Sequence, residues 1–444
     1  MFRALLFALL LAGSMLSVAA QTAPDSPAPV LRLQGSNTIN AQLGPRLIEG
    51  LMREQGLQQI QTRASAVANE QRVTGQDIDA SIWQAQVAAH GSSTGFKALQ
   101  GGLTDVAASS RPIKHQELLA LASLGDLRSP QAEHVIGIDG VAVIVHPGNP
   151  LRQLDTQTLA RIFSGEISDW QTIGGTPGRI VLYARDEQSG TWETFRELVL
   201  TAHAKALSAG ARRLESSEQL ADEVSRTPNA IGFIGLPWVR RARALAIADG
   251  DAQPLLPTIE SIATEDYPLT RRLYLYLPPH LQNPWAQALV RFAQSRQGQA
   301  IVAASGFVAQ QIQTIQTRPD LQMSSQYQAL SRHAQRLSVN FRFEQGSARL
   351  DNKALFDVQR LVDYLSAHDK LDRQVTLVGF GDAKDDPQRA LLLSRLRAMA
   401  VRRELLRHDV ILRDVLGQGE DMPVADDDTA QGRIRNRRVE VWVH

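Results

Sequence analysis

The chain has 444 residues, enough for two to four compact domains that each bury a core. Its 47 Lys and Arg nearly cancel its 46 Asp and Glu, so charge gives no argument for a nucleic-acid partner. With no cysteine, disulfides, thiolate metal sites and cysteine nucleophiles are excluded, and stability must rest on core burial.

The first residues read as a secretory signal: Arg3 is the positive start, Ala4 to Leu9 open an apolar run, and Val18-Ala19-Ala20 offers small residues for a cut after Ala20; an uncleaved membrane anchor is the alternative, against which Gly13-Ser14 breaks the run. The cut carries no cysteine, so no lipoprotein anchor is expected, and no later segment is apolar and long enough to span a bilayer. A Pro-rich linker covers 21–30. Val30 to Leu33 then reads as a strand, followed by Gly35-Ser36-Asn37-Thr38 and a helix carrying Leu43, Leu47, Leu51 and Met52. Strand, small polar turn and helix recur at Gln86–Ala89 with Gly91-Ser92-Ser93-Thr94-Gly95, and at Asp105–Ala108 with Ser109-Ser110-Arg111-Pro112. That repetition is the α/β pattern. The β-branched run Ile136 to His146, broken at Gly140, fits a buried strand in a hinge between two lobes, and 158–200 with 215–240 supply a second α/β set. Residues 314–335 are polar and contain Pro319, which predicts a second linker. Beyond it, Leu337–Phe343, Val375–Val378 and Val439–Val443 read as strands and Leu355–Leu365 and Arg389–Leu406 as helices, a small α+β domain over 336–444.

Three turns in the first domain share one chemistry: Gly35-Ser36-Asn37-Thr38, Gly91-Ser92-Ser93-Thr94-Gly95, and Arg185 to Thr191 with its Ser189-Gly190-Thr191. Helix N-termini expose unpaired N–H groups, glycine permits close approach, hydroxyls add donors and an arginine fork matches two oxygens of an anion. Any one such turn is ordinarily only a helix cap. Three together, one with an arginine, point to an oxyanion.

These turns, with Asp139–Pro147, Ile162–Trp170 and Asn229–Phe233, resemble the PstS-like periplasmic phosphate-binding proteins over about residues 31–313. The resemblance implies the α/β two-lobe periplasmic-binding-protein fold. It places Thr38 and Ile39 (through its N–H) at the first phosphate loop, Ser92 at the second, and Arg185, Ser189, Gly190 and Thr191 at the third. Some members carry an aspartate where this chain has Ser110, a carboxylate that takes a proton from phosphate and repels sulfate. Ser110 keeps a donor and acceptor but leaves the rejection of sulfate open. Arg111 beside it is either a second positive group or a surface ion-pair partner.

The C-terminal domain resembles the OmpA-like peptidoglycan-binding domain through Gly379-Phe380-Gly381-Asp382, Leu393 to Ala398 and Gly432 to Val441. The resemblance assigns Asp382 to the ammonium and Arg397 to the carboxylate of the diaminopimelate stem, and places the protein in the periplasm at a Gram-negative cell wall. A structural salt bridge between the two is the alternative. Gly381 and Ala390 depart from the family's usual Thr and Asn, and losing the Asn hydrogen bond is worth about 1 kcal/mol. The cluster Arg433, Arg435, Arg437 and Arg438 is expected on a solvated strand edge or in contacts that fix the fold.

No histidine pair has metal-motif spacing, and Ser189-Gly190-Thr191 is not a nucleophile elbow, so neither a metal, a cofactor nor catalysis is expected. His115 is expected at the surface, and Asp426-Asp427-Asp428 lacks the alternation of a calcium loop. The expected function is binding of phosphate or a similar oxyanion by a protein tethered to peptidoglycan, with an ABC transporter permease as a further partner if it feeds a transporter. The alternative is an envelope structural or sensing protein whose binding-protein fold serves as an interaction module.

Overall fold

The computed structural model describes residues 29–444 apart from 188, 318, 320–322, 344–346, 348 and 383–385. The expected signal at 1–20 and nearly all of the 21–30 linker lie outside the described residues. None of the described helices is long and apolar enough to cross a membrane.

The first domain holds strands β1 (Leu31–Gly35), β2 (Gln58–Ala64), β3 (Glu70–Gln76), β4 (Ile82–Ala89), β5 (Val106–Ser109), β6 (Glu133–Val145), β7 (Gln153–Asp155), β8 (Val181–Arg185), β9 (Arg212–Leu214), β10 (Ala230–Gly235), β11 (Arg243–Ala244), β12 (Ala246–Ala248) and β13 (Thr270–Tyr276). The large sheet runs β2-β3-β4-β1-β5-β13-β6-β10-β8-β9, with β11 also on β6. Strand β6 is shared between two lobes. Its residues Glu133 to Gly140 pair with β13, and Val141 to Val145 pair with β10. The changeover falls at the Gly140 break in the apolar run, where a Cβ would sit 2.3 Å from Ile262 Cδ1, so a larger residue would force Ile262 to shift. The hinge reading of this segment therefore holds.

Each lobe has its own core. Leu33, Leu47, Ile48, Leu51, Val106 and Leu275 belong to the first, and Val143, Phe163, Phe195, Phe233 and Tyr267 to the second. In the helix Leu43–Glu54 the buried Leu43, Leu47, Ile48, Leu51 and Met52 form the helical stripe that the sequence spacing predicted. The hairpin of β2 and β3 gave no such signal. Its residues are half-exposed and rich in Gln, Arg and Thr.

The second domain holds β14 (Thr314–Ile315), β15 (Gln335–Arg342), β16 (Asp372–Gly379), β17 (Ile411–Gly417) and β18 (Arg438–Val443), in the order β14-β15-β18-β16-β17. Helices Asn352–Ala367 and Pro387–Leu406 bury Leu361, Leu365, Val401 and Leu405 against Leu337, Phe341, Leu377 and Val441 on one face of that sheet. The described residues of 314–335 are not all the polar coil that their composition predicted. They supply β14 and a helix, Ser325–His333, whose Tyr327 and Leu330 cover the other face against Phe380, Leu416 and Trp442. The polar residues misled because only two large side chains of that helix anchor it.

The two domains are also not separate bodies on a string. Asp266, buried at 4% exposure, receives Arg336 at 2.7 Å, Asn340 at 2.9 Å and Arg342 at 3.1 Å from β15. Arg435 donates to the carbonyls of Pro268 and Tyr267. On the first lobe's side, Arg272 of β13 meets Asp351 at 2.7 Å, while the same carboxylate caps the helix Asn352–Ala367 through Ala354 N–H. Asn352 reaches Arg128 O and Glu133. The second domain thus contacts both lobes near the hinge. The basic cluster fixes the fold rather than lining a solvated edge: Arg435 docks the domains, Arg437 reaches Asp382, and Arg438 is buried against Phe380 and Glu440.

Candidate functional site

The cleft between the lobes is built at the carboxyl ends of β1, β4 and β5, where open α/β sheets receive ligands. The parallel pairing of β1 with β4 and β5 brings the three following turns together. They are stitched by Ser36 N–H to Ala108 O at 2.9 Å and Gly91 N–H to Gly35 O at 2.8 Å. Thr38 and Ile39 lie in the short helix Asn37–Asn40, both buried. Ser92 opens the helix Ser92–Gln100 and is buried with Ser110: the two hydroxyls are 3.3 Å apart, and Ser110 N–H donates to Ser92 Oγ at 3.2 Å.

From the second lobe come Ser189, Gly190 and Thr191, at the start of the helix Gly190–Phe195. Ser189 caps that helix by accepting Trp192 N–H. The lobes meet at Gly190, where a Cβ would lie 2.2 Å from Thr38 Oγ1 and 2.5 Å from Thr38 Cα. Glycine is required there by the closeness of the other lobe rather than by a positive φ.

The guanidinium that joins these residues belongs to Arg271 of β13. Its Nη2 donates to Thr38 Oγ1 at 2.5 Å and to Gly190 O at 2.6 Å, and its Nε donates to Asp139 at 3.3 Å. Its Nη1 lies 3.7 Å from Glu193 and is buried with no hydrogen-bond partner among the described residues. The charge is paired by Asp139 and Glu193, and Nη1 keeps N–H hydrogens to give. Glu193 in turn accepts from Ser110 Oγ at 3.3 Å. Burial pushes the nearby Glu197 carboxyl above its usual range, with Arg271 opposing and Glu193 adding to the rise.

The fork of Arg185, expected on the anion, is bonded elsewhere: to Ser217 Oγ, to Glu215 O at 2.7 Å, and 3.5 Å from Asp186. Burial lowers its pKa, and Asp186 opposes that. Arg111 pairs with Glu117 at 2.7 and 2.8 Å over the Phe96 ring, which settles it as an ion-pair partner. Sequence reasoning missed Arg271. The one available signal was Arg271-Arg272 at the head of an otherwise apolar strand, where charges are rare unless paired.

In the second domain Asp382 lies just past the end of β16, at 1% exposure. Arg437 meets it at 2.6 Å, and Arg397, from the helix Pro387–Leu406, at 3.9 Å. Burial lowers the Arg397 pKa, Asp382 raises it and Arg437 lowers it further. Among the described residues, Arg397 Nη1 is buried without a hydrogen-bond partner. The structure therefore brings the two predicted residues together and adds Arg437. A Cβ on Gly381 would lie 3.2 Å from Arg397 Nη1, so a larger residue there crowds this guanidinium. Ala390 is buried at 2% exposure, with no side-chain hydrogen bond to give.

A family model described as the PBP superfamily domain matches residues 64–297, more than half of the chain, and the OmpA family model matches 342–437. The phosphate-binding protein PstS of Borreliella burgdorferi is 26% identical over 225 residues, covering 50% of this chain and 77% of the relative. The PstS of Pseudomonas aeruginosa is 28% identical over 245 residues, covering 50% and 73%. Protein SphX of Synechococcus elongatus is 27% identical over 225 residues, 48% of this chain and 64% of the relative. Among solved structures, one described as a possible phosphate binding protein from Planctomyces limnophilus superposes with a TM-score of 0.50 at 22% identity, covering 63% of this chain and 92% of that one. The matched spans fall within the two-lobe body and the small C-terminal domain, and the chain belongs to the PBP superfamily, with a C-terminal domain of the OmpA family.

Proposed function

We propose that this protein binds phosphate, or a closely similar tetrahedral oxyanion, between its lobes while its C-terminal domain holds it to peptidoglycan. The observation that carries the reading is that the Arg271 guanidinium bonds Thr38 of one lobe and Gly190 of the other, with the Ser92–Ser110 pair beside it through Glu193. Closing two lobes on an anion excludes water and strengthens each hydrogen bond. The relatives named as phosphate-binding proteins support the same ligand. Ile39, Ser189 and Thr191 complete the proposed contacts, with Arg185 bracing the third loop from behind. On the wall side, Asp382 takes the diaminopimelate ammonium and Arg397 its carboxylate.

The docking of the C-terminal domain on both lobes favours a resident role at the wall, sensing or holding the anion, over free delivery to an ABC transporter permease. A domain locked to its anchor has no coil to extend its reach. The test is a thermal-shift titration of the mature chain with phosphate alongside sedimentation with purified sacculi. Phosphate should raise the melting temperature of the wild type but not of Arg271→Ala, and sacculi should carry down the wild type but not Arg397→Ala. A chain indifferent to phosphate and to sacculi would defeat the reading.

A further inference from the structure

The helix Pro387–Leu406 turns small residues inward and large ones outward. Its buried positions are Ala390, Ser394, Ala398, Val401 and Leu405, spaced for one helix face. That face lies so near the sheet that Gly379 of β16 has no room for a Cβ beside Ser394. On the outer side, Leu391, Leu392, Leu396, Met399 and Leu406 are 38% to 59% exposed. With Ile411 they make six of the fifteen large apolar side chains exposed among the described residues, a patch rather than the usual scatter.

The patch is also basic. Leu392, Leu396 and Met399 share a groove of about 520 Å³ with Leu412 of β17, the strand at the end of the sheet. Arg395, Arg402 and Arg413 line the same groove against one carboxylate, Asp414. Arg402 lies along Met399, its Nη1 3.9 Å from Sδ. Arg389 and Arg403 are exposed on the helix too, and no acidic side chain of the helix is: Glu404 is half-buried and paired with Arg407 at 2.6 Å.

The composition selects the partner. A second copy seated on this face would set arginine against arginine. A protein partner is gripped chiefly by aromatic anchors, and the patch has none. A lipid surface needs only apolar side chains that reach the acyl boundary, flanked by cations that meet the headgroups. From Leu392 to Leu406 the stripe is about 21 Å long, which suits a flat surface better than a small ligand.

We propose that this face docks the protein on an anionic phospholipid bilayer. Leu392, Leu396 and Met399 enter the headgroup boundary, and Arg395, Arg402 and Arg413 meet lipid phosphates. The site is separate from the proposed peptidoglycan contact, since Arg397 is turned to Asp382.

The test is flotation of the mature chain with vesicles of phosphatidylcholine alone, and of phosphatidylcholine with an equal part of phosphatidylglycerol. The wild type should float with the anionic vesicles only, and about 0.5 M sodium chloride should weaken that binding. Leu396→Glu with Met399→Glu should lower it by about tenfold or more, and Arg395→Gln with Arg402→Gln by about 30-fold. Leu119→Glu, a leucine 65% exposed in the helix His115–Ala120, should change nothing. All these positions are exposed, and circular dichroism confirms each fold. No flotation of the wild type, equal flotation with both vesicles, or binding that either double variant retains overturns the proposal. So does a wild-type dimer in analytical ultracentrifugation that Leu396→Glu with Met399→Glu turns into monomer, which would make the face an interface between copies.

Discussion

Asp266→Ala should release the C-terminal domain from the lobes without unfolding either. Asp266 is 4% exposed and accepts from Arg336 at 2.7 Å, Asn340 at 2.9 Å and Arg342 at 3.1 Å, with Arg438 at 4.0 Å. Burial raises its pKa, but the three arginines outweigh burial and hold the carboxyl well below its usual range. Removing one partner from a buried ionic network leaves uncompensated charge and costs about 3–5 kcal/mol. At about 1.4 kcal/mol per factor of ten, docking should weaken by about two to four orders of magnitude. Asp249→Ala is the control, because Asp249 meets Arg435 only at 3.6 Å and is partly exposed, a contact worth less than about 1 kcal/mol. The assay is small-angle scattering with calorimetry. Wild type and Asp249→Ala should share one radius of gyration, while Asp266→Ala should be larger and show a separate, lower transition for the C-terminal domain. An Asp266→Ala profile that superposes on the wild type in both measurements would refute the argument that this carboxylate holds the domains together.

Acid should loosen the same interface. Burial raises the Glu265 pKa, but Arg272, Lys353 and Arg342 reverse that and lower it from 4.5 to about 2. A depressed carboxylate stabilises the docked state above pH 4.5, and that stability, about 3 kcal/mol, is lost as pH falls through 4.5 toward 2. Scattering from pH 6 to 2.5 should show expansion only at the acid end. Gly190→Ala should cut phosphate affinity by about tenfold or more in calorimetry, with a little-changed melting temperature, because its Cβ would meet Thr38 Oγ1 at 2.2 Å and hold the lobes apart. Arg397→Ala should lower sedimentation with sacculi by about tenfold or more while leaving the fold intact, since the Asp382–Arg437 pair at 2.6 Å remains.

Much of this was legible in the sequence because it depends on local pattern. The apolar stripe of Leu43 to Met52 and the β-branched run of β6, broken at Gly140, reveal the lobes and their shared strand. The Gly/Ser/Thr turns mark the cleft because each follows a strand directly. Arg271, Glu193 and Asp266 were not legible. Each acts on residues far away in the chain, and its role appears only when β13 pairs with β6 or the second domain docks. Arg185 misled for the reciprocal reason: its spacing to Ser189-Gly190-Thr191 is local, whereas its partners Glu215 and Ser217 follow β9. The linker misled through composition, since Tyr327 and Leu330 are few but well placed.

The most direct test of the central claim is calorimetric titration of the mature, anion-stripped chain with inorganic phosphate near neutral pH. The account predicts one phosphate per chain at micromolar affinity or tighter, about 8 kcal/mol or more, lost when Arg271 is replaced by alanine. No heat and no thermal stabilisation from phosphate in a properly refolded wild type would contradict it, and the two lobes would have to be read as an interaction module instead.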